Sequence, residues 1–206
     1  MSFEDIPIVE KSPEIVDVVI EIPKGSHNKY EYDEKLNIIR LDRVLHSSVF
    51  FPTDYGFIPQ TRSDDGDHLD VLLIISDSVF PGCVVSARPV GVLYMEDQKE
   101  KDEKIIAVAD KDPLLTHIKD IEDIDDFFKK EVHNFFEIYK QLENKKVEVH
   151  NWRGRESAYN VIITARKAYL QNRFPRPKGR SSLFLASRIH SHLWHKCQGF
   201  LARDKR

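Results

Sequence analysis

Apolar positions in the first two thirds of the chain fall in short runs, either alternating or unbroken, with turn-forming residues between them. Val16 to Ile22 is rich in β-branched residues and stops at Pro23, and Lys24-Gly25-Ser26 then forms a loop. Tyr30 to Tyr32 and Leu36 to Leu41 flank Asp33-Glu34-Lys35, which predicts a hairpin. Leu69 to Ile75 is almost continuously apolar, the pattern of a strand buried on both faces. Cys83 to Leu93 and Ile105 to Ala109 continue the series. Many short strands with few helices between them predict a barrel or a strongly curved sheet. The character changes near Asp123. Phe128, Val132, Phe135, Phe136 and Tyr139 recur at helical spacing, and Asp123 or Asp125 is placed to cap that helix. Lys145 to Val149 reads as a short strand. A second helix is expected from about Arg155 to Leu170, burying Ala158, Ile162, Ala165 and Tyr169. The economical fold class is α+β.

Composition narrows the class. With 206 residues, 41% hydrophobic and 32% charged, the chain suits one soluble domain, or one domain with an appendage. The net charge of −3 conceals an asymmetry. Residues 171–206 carry nine Lys or Arg against one acid, Asp204, whereas 1–170 hold 22 basic and 33 acidic residues. An acidic body therefore precedes a basic tail, and the two need separate explanations. Cys83 and Cys197 stand far apart and outside any CxxC pattern, which fits a reducing compartment and predicts a cytoplasmic protein. The opening M-S-F-E-D-I-P has neither a basic nor an apolar leader region, so no signal peptide is expected. No apolar run approaches the roughly 18–20 residues that a membrane span needs.

The densest chemistry lies in D-D-G-D-H-L-D-V, residues 64–71, which places Asp65, Asp67 and Asp70 within six positions. Asp97, Asp102 and Lys104 follow the next apolar stretch. Two unit charges about 4 Å apart repel by roughly 1 kcal/mol in water, and by roughly 4 kcal/mol at an effective dielectric of 20. Carboxylates this crowded call for a counter-charge, and oxygen-only ligands select hard cations such as Mg²⁺ or Mn²⁺. An EF-hand is excluded: counted from Asp65, the position that requires Gly is Asp70. If this segment is extended, Asp65 and Asp67 share a face. A second set comprises Glu21, Lys29, Glu31, Arg43, Tyr55, Tyr139 and Lys140, with Lys29 and Glu31 two apart on one strand face. Acids for metal together with cations for oxyanions are what phosphoryl transfer requires. A bound metal lowers the pKa of water from 15.7 to about 7, more than any single side chain supplies.

E-I-P (21–23), K-Y-E (29–31), D-R (42–43), F-P-T-D-Y-G-F (51–57), D-G-D-H-L-D-V (65–71), R-P-V-G-V-L (88–93), the spacing of Asp97, Asp102 and Lys104, and Y-K (139–140) occur in order. Together they resemble the family I soluble inorganic pyrophosphatases in their bacterial form, over about residues 5–170. The resemblance implies a domain over 1–172 with a five-stranded OB-like β-barrel core and two main flanking helices. It implies a hydrolase of phosphate metabolism: Mg²⁺-dependent cleavage of pyrophosphate to two orthophosphates, by direct attack of a water that bridges two metals. Mn²⁺ or Zn²⁺ would be substitute ions, and a homohexamer the implied assembly. Asp65, Asp70 and Asp102 would hold the tightest metal, Asp97 and Asp102 the metals arriving with substrate, and Asp67 would be the general base. Glu21 and Glu31 would position waters on the metals, while Lys29, Arg43, Tyr55, Lys104, Tyr139 and Lys140 grip the phosphates. Two positions depart from the family pattern. His68 replaces a proline, which predicts a looser turn, and Phe51 replaces a frequent tyrosine. A non-catalytic metal- or polyphosphate-binding module on the same scaffold is the competing reading.

The tail, residues 173–206, lies beyond the resemblance. Pro175, Pro177 and Gly179 read as a linker. Leu185, Ile189 and Leu193 fit one face of a short amphipathic helix, and a disordered or body-docked arm is the alternative. His190, His192, His195 and Cys197 suit Zn²⁺ by residue type, but a basic histidine-containing helix with adventitious or no metal binding is the favoured reading. A nucleic-acid or anionic-membrane contact is confined to this segment.

Overall fold

The computed structural model describes residues 2–173, so the expectations for the tail lie outside the described residues. Eight strands and two α-helices follow in order: β1 (Val16–Ile22), β2 (Asn28–Asp33), β3 (Ile38–Val44), β4 (Asp54–Ile58), β5 (Leu69–Ile74), β6 (Val84–Asp97), β7 (Glu100–Ala109), α1 (Asp126–Ile138), β8 (Val147–Gly154) and α2 (Arg155–Arg173). The six-stranded sheet runs β1-β4-β5-β7-β6-β8, and β1 also pairs with β6. Each of β1, β4, β5 and β7 thus has two paired neighbours, and β6 has three. The β5–β7 pair is parallel, and the other pairs in this sheet are antiparallel. β2 and β3 form a separate hairpin.

Period-two burial divides the interior into two cores. Ile22, Tyr55, Leu72, Leu93, Ile106 and Val108 meet α1 through Val132, Phe135 and Phe136. Their sequence neighbours Val71, Leu73, Ile105 and Ala107 join Val16, Val18 and Ile20 against Ala158, Ile162 and Ala165 of α2. Each fully buried Val, Leu or Ile contributes about 1.5–3 kcal/mol, so strands buried on both faces are strongly fixed in register. The approach of β1 to β4 is close enough to need glycine. A Cβ on Gly56 would stand 2.0 Å from the Val19 carbonyl oxygen.

Several boundaries differ from the sequence expectation, each for a local reason. Asp125, not Asp123, caps α1: its carboxylate accepts from the amides of Phe127 at 2.7 Å and Phe128 at 3.3 Å. Asp123 closes a 3-10 turn over Ile121–Asp123, where Asp120 is the cap. β8 starts two residues later than expected and runs on to Gly154, because its partner β6 holds it in register from Asp97 back to Gly91. It passes directly into α2, whose first amide, on Arg155, donates to Asp120 Oδ1 at 3.1 Å. Residues 63–68 form a turn rather than an extended segment, with Gly66 at φ +92°, so Asp65 and Asp67 are placed by the turn and not by strand alternation.

Candidate active site

The aspartate turn joins β4 to β5 and is closed by its own backbone. Ser63 N–H donates to the Asp67 carbonyl at 2.8 Å, Gly66 N–H to the Ser63 carbonyl at 3.1 Å, and Asp67 N–H to Asp65 Oδ1 at 3.0 Å. Across from it, β1 contributes Glu21 and the β2–β3 hairpin contributes Lys29 and Glu31. These residues, with Tyr55, Asp65, Asp67 and Asp70, line one cavity of about 170 Å³. Burial pushes the Glu21 carboxyl up to about 8, with Asp70 adding to the effect, although its Oε1 accepts the Tyr32 amide at 2.7 Å. Burial and the charges of Asp65 and Asp70 likewise raise the Asp67 carboxyl above its ordinary range. Neither Asp65 nor Asp67 takes part in an ion pair among the described residues.

Lys104 and Asp102 are tied to this cavity through Asp70, and Arg43 through Asp42 and Lys29. Lys104, only 5% exposed on β7, sits 2.5 Å from Asp70 Oδ2 and 2.6 Å from Asp102 Oδ1. Although burial opposes its charge, Asp70, Tyr55 and Asp102 hold the Lys104 ammonium well above the usual lysine range. Its Nζ also lies 5.7 Å from the centre of the Tyr55 ring. Burial, reinforced by Asp70, keeps the Tyr55 hydroxyl protonated, and burial does the same for Tyr139 at the end of α1. Burial raises the Asp102 carboxyl, against the pull of Lys104. Lys140 binds Asp97, yet burial still lowers its pKa. On the hairpin, Lys29 pairs with Glu31 and lies 3.7 Å from Asp42, while Arg43 binds Asp42 and places Nε 2.9 Å from Glu143.

Two buried atoms in this set lack a hydrogen-bond partner: Arg43 Nη2, a donor, and Asp97 Oδ1, an acceptor. A buried donor or acceptor left unpaired costs about 1–3 kcal/mol, so each marks a place for a ligand atom. Among the described residues, two trios bring three ligand atoms within 4.8 Å of one another: Glu4–Glu34–His68 and Glu96–Glu148–His150. The predicted metal aspartates do not form such a trio; the Lys104 ammonium stands between Asp70 and Asp102 instead.

The partners Asp42 and Glu143 were not among the residues singled out from sequence. Asp42 was visible beside Arg43, whereas Glu143 is brought in across 100 residues of chain. Both departures from the family pattern are absorbed. Phe51 is 3% exposed, with its ring centre 4.9 Å from Phe135 and 5.6 Å from Tyr55, so the space is filled by apolar contact. His68 is buried and stacks on Phe57 at 4.6 Å, so the turn expected to be looser is anchored.

Comparison with known proteins decides the lineage. The sequence profile described as "Inorganic pyrophosphatase" matches residues 18–170. The chain belongs to the inorganic pyrophosphatase family. Within this family it is 49% identical over 156 residues to the inorganic pyrophosphatase of Methanosarcina mazei, covering 76% of this chain and 92% of that one. It is also 49% identical over 164 residues to the enzyme of Thermus thermophilus, covering 78% and 94%. The crystal structure of the Thermus thermophilus inorganic pyrophosphatase superposes with a TM-score of 0.80, over 82% of this chain and 99% of that chain. Family membership makes the chain a hydrolase that cleaves pyrophosphate to phosphate.

Proposed function

We propose that the cavity between β1, the β2–β3 hairpin and the aspartate turn hydrolyses pyrophosphate with Mg²⁺ as cofactor. The observation that carries this reading is the convergence of Glu21, Glu31, Asp65, Asp67 and Asp70 with Lys29 around one cavity, with Lys104 bound to Asp70. An all-oxygen donor set suits a hard divalent ion, and the carboxyls of Glu21, Asp67 and Asp102, raised chiefly by burial and further by neighbouring acids, would be drawn back to the charged form by a bound cation. Asp65, Asp70 and Asp102 would hold the tightest ion, Asp97 and Asp102 those that arrive with substrate, and Glu21 and Glu31 would orient waters. When bound, Mg²⁺ supplies Lewis-acid charge and lowers the pKa of water. Mn²⁺ or Zn²⁺ would substitute for it.

The chain's own groups supply the rest. Asp67 takes a proton from the attacking water at its carboxylate, where the raised pKa makes it a better base. The new P–O bond forms as the bridging P–O bond breaks, and the electron pair leaves on the bridging oxygen. Lys29, Arg43, Lys104 and Lys140 neutralise charge on the two phosphates, with Arg43 Nη2 already a donor in need of an acceptor. Tyr55 and Tyr139, held protonated, donate hydrogen bonds. For Lys104 and Lys140 to reach substrate, the acids they now bind must gain another counter-charge, and this couples metal binding to the phosphate grip.

Three wider features belong to the same reading. The circuit β1-β4-β5-β7-β6-β1 supports a five-stranded OB-like barrel within a catalytic domain of residues 1–172. In a hexamer, the exposed part of α1, including the 75% exposed Phe127, would form a subunit contact. No helix among the described residues is long and apolar enough to cross a membrane, and two cysteines far apart in sequence and outside any CxxC pattern support a cytoplasmic enzyme. A phosphate-release assay tests the reading. Purified, folded protein should liberate orthophosphate from pyrophosphate with Mg²⁺ and lose that activity when Ca²⁺ displaces it. Folded, metal-loaded protein that binds a diphosphonate but releases no phosphate would instead be a binding module.

A further inference from the structure

Glu34 and His68 line the same cavity beside the aspartate turn and belong to a polar cluster to which the reaction above assigns no role. Arg62 and Glu34 meet as a two-bond fork, Nη1 to Oε1 and Nη2 to Oε2, each at 2.8 Å. Arg62 Nη2 also donates to Glu4 Oε1 at 3.0 Å, and Nη1 lies 2.9 Å from His68 Nδ1. His68 Nε2 in turn lies 3.0 Å from Glu34 Oε1. His68 Nδ1 also lies 3.1 Å from the Thr61 carbonyl, so both ring nitrogens have polar partners. The Arg62 amide donates to the Ala165 carbonyl of α2 at 2.9 Å, and its guanidinium lies 5.4 Å from the centre of the Tyr169 ring.

The consequence is mechanical. Arg62 and His68 are the two shoulders of the turn that carries Asp65 and Asp67. One shoulder is tied to α2 and the N-terminal segment, the other is stacked on Phe57, and both are tied to Glu34 in the β2–β3 hairpin. The side chains of Arg62 and His68 are 15% and 6% exposed and that of Glu34 is 39% exposed, so the clasp is buried at its turn end and open to water at its hairpin end, where the two-bond fork fixes its geometry. The hairpin end of the tie is the same element that presents Lys29 and Glu31. The cluster therefore sets the distance between the two walls of the cavity.

We propose that Arg62 and His68 are positioning residues: their clasp on Glu34 holds the 62–68 turn so that Asp65 and Asp67 present their oxygens to a divalent cation together with Glu31. This rests on the divalent-cation reading above. The test uses Arg62→Met, His68→Leu, the double variant and the conservative Arg62→Lys in the full chain. Mn²⁺ binding is followed by the electron paramagnetic resonance of the free ion without pyrophosphate, beside a Mg²⁺ titration of phosphate release and a thermal melt. Each single variant should weaken Mn²⁺ binding by about tenfold, as loss of an outer support of a metal ligand does, and raise the Mg²⁺ needed for half-maximal turnover by the same factor. The double variant should be no worse than the weaker single, because the two residues act as one unit. Arg62→Lys should fall between wild type and Arg62→Met. Wild-type Mn²⁺ affinity in the variants, with or without a lowered melting temperature, overturns the proposal, as does an additive loss in the double variant. If the wild-type chain binds Mn²⁺ and the variants bind it less well, yet wild type releases no phosphate, the clasp stands and the diphosphatase reading falls.

Discussion

Replacing Lys104 with methionine isolates the electrostatics of the site. The substitution keeps most of the apolar stem and removes an ammonium 2.5 Å from Asp70 and 2.6 Å from Asp102. At roughly 4 Å between charge centres and an effective dielectric of 20, each attraction is about 4 kcal/mol. Desolvation of three charged groups cancels much of this, and breaking a buried ionic network by deleting one partner costs about 3–5 kcal/mol. The side chains of Asp70 and Asp102 retain 28% and 15% exposure, which places the cost at the low end, about 3 kcal/mol. For a urea slope of about 2 kcal/mol per molar, the midpoint of the metal-free variant should fall by about 1.5 M at fixed protein concentration. With saturating Mg²⁺ the two carboxylates regain a counter-charge; because Lys104 no longer competes with the ion, the variant should bind Mg²⁺ about 30-fold more tightly than wild type, and that difference, about 2 kcal/mol, should bring the deficit down to about 1 kcal/mol. Catalysis should remain impaired, because the phosphate grip is gone. An equal deficit in EDTA and in Mg²⁺, or none in EDTA, would refute the argument that Lys104 and the divalent ions compensate the same acids.

Other perturbations test separate links. Asp67→Asn should lower kcat by about 10²–10⁴-fold while the fold and melting temperature persist; near-normal kcat would remove Asp67 as base. Glu21 is held near 8 chiefly by burial, so the fold favours its protonated form. Its stabilising contribution is complete below its ordinary value of 4.5 and is lost as pH rises through 8, so the urea midpoint of metal-free protein should decline across that window. Glu21→Gln should flatten the decline, and an unchanged slope would contradict the assignment. Gly56→Ala should cost at least about 3 kcal/mol, read as a lowered melting temperature or loss of soluble protein, since the new methyl meets backbone rather than a yielding side chain.

β1 and β5 are readable because apolar residues occupy both of their faces, with Asp17, Glu21 and Asp70 as single polar interruptions. β4 was not singled out. Its five residues, D-Y-G-F-I, include an acid and a glycine, yet all five are buried. Asp54 is tolerated there because its carboxylate accepts the amides of Lys24 at 2.7 Å and Val79 at 3.0 Å. The C-terminal half of β8, H-N-W-R-G, has no strand-like run either, and only pairing with β6 makes it extended. At the site, the acids and cations were identifiable by type and order. Their partners were not, because Arg43 with Glu143, Lys104 with Asp70 and Lys140 with Asp97 are pairings across 34 to 100 residues of chain. The orientation of Asp65 and Asp67 was missed for a local reason: a positive φ at Gly66 replaces strand alternation with a turn.

The central claim is that these acids are spaced for divalent cations in the presence of pyrophosphate. Anomalous diffraction from crystals of the full chain grown with Mn²⁺ tests it most directly. The account predicts manganese bonded to Asp65, Asp70 and Asp102, with the Lys104 ammonium displaced from between the last two. Crystals in which Lys104 still bridges Asp70 and Asp102, with no manganese beside them, would contradict it.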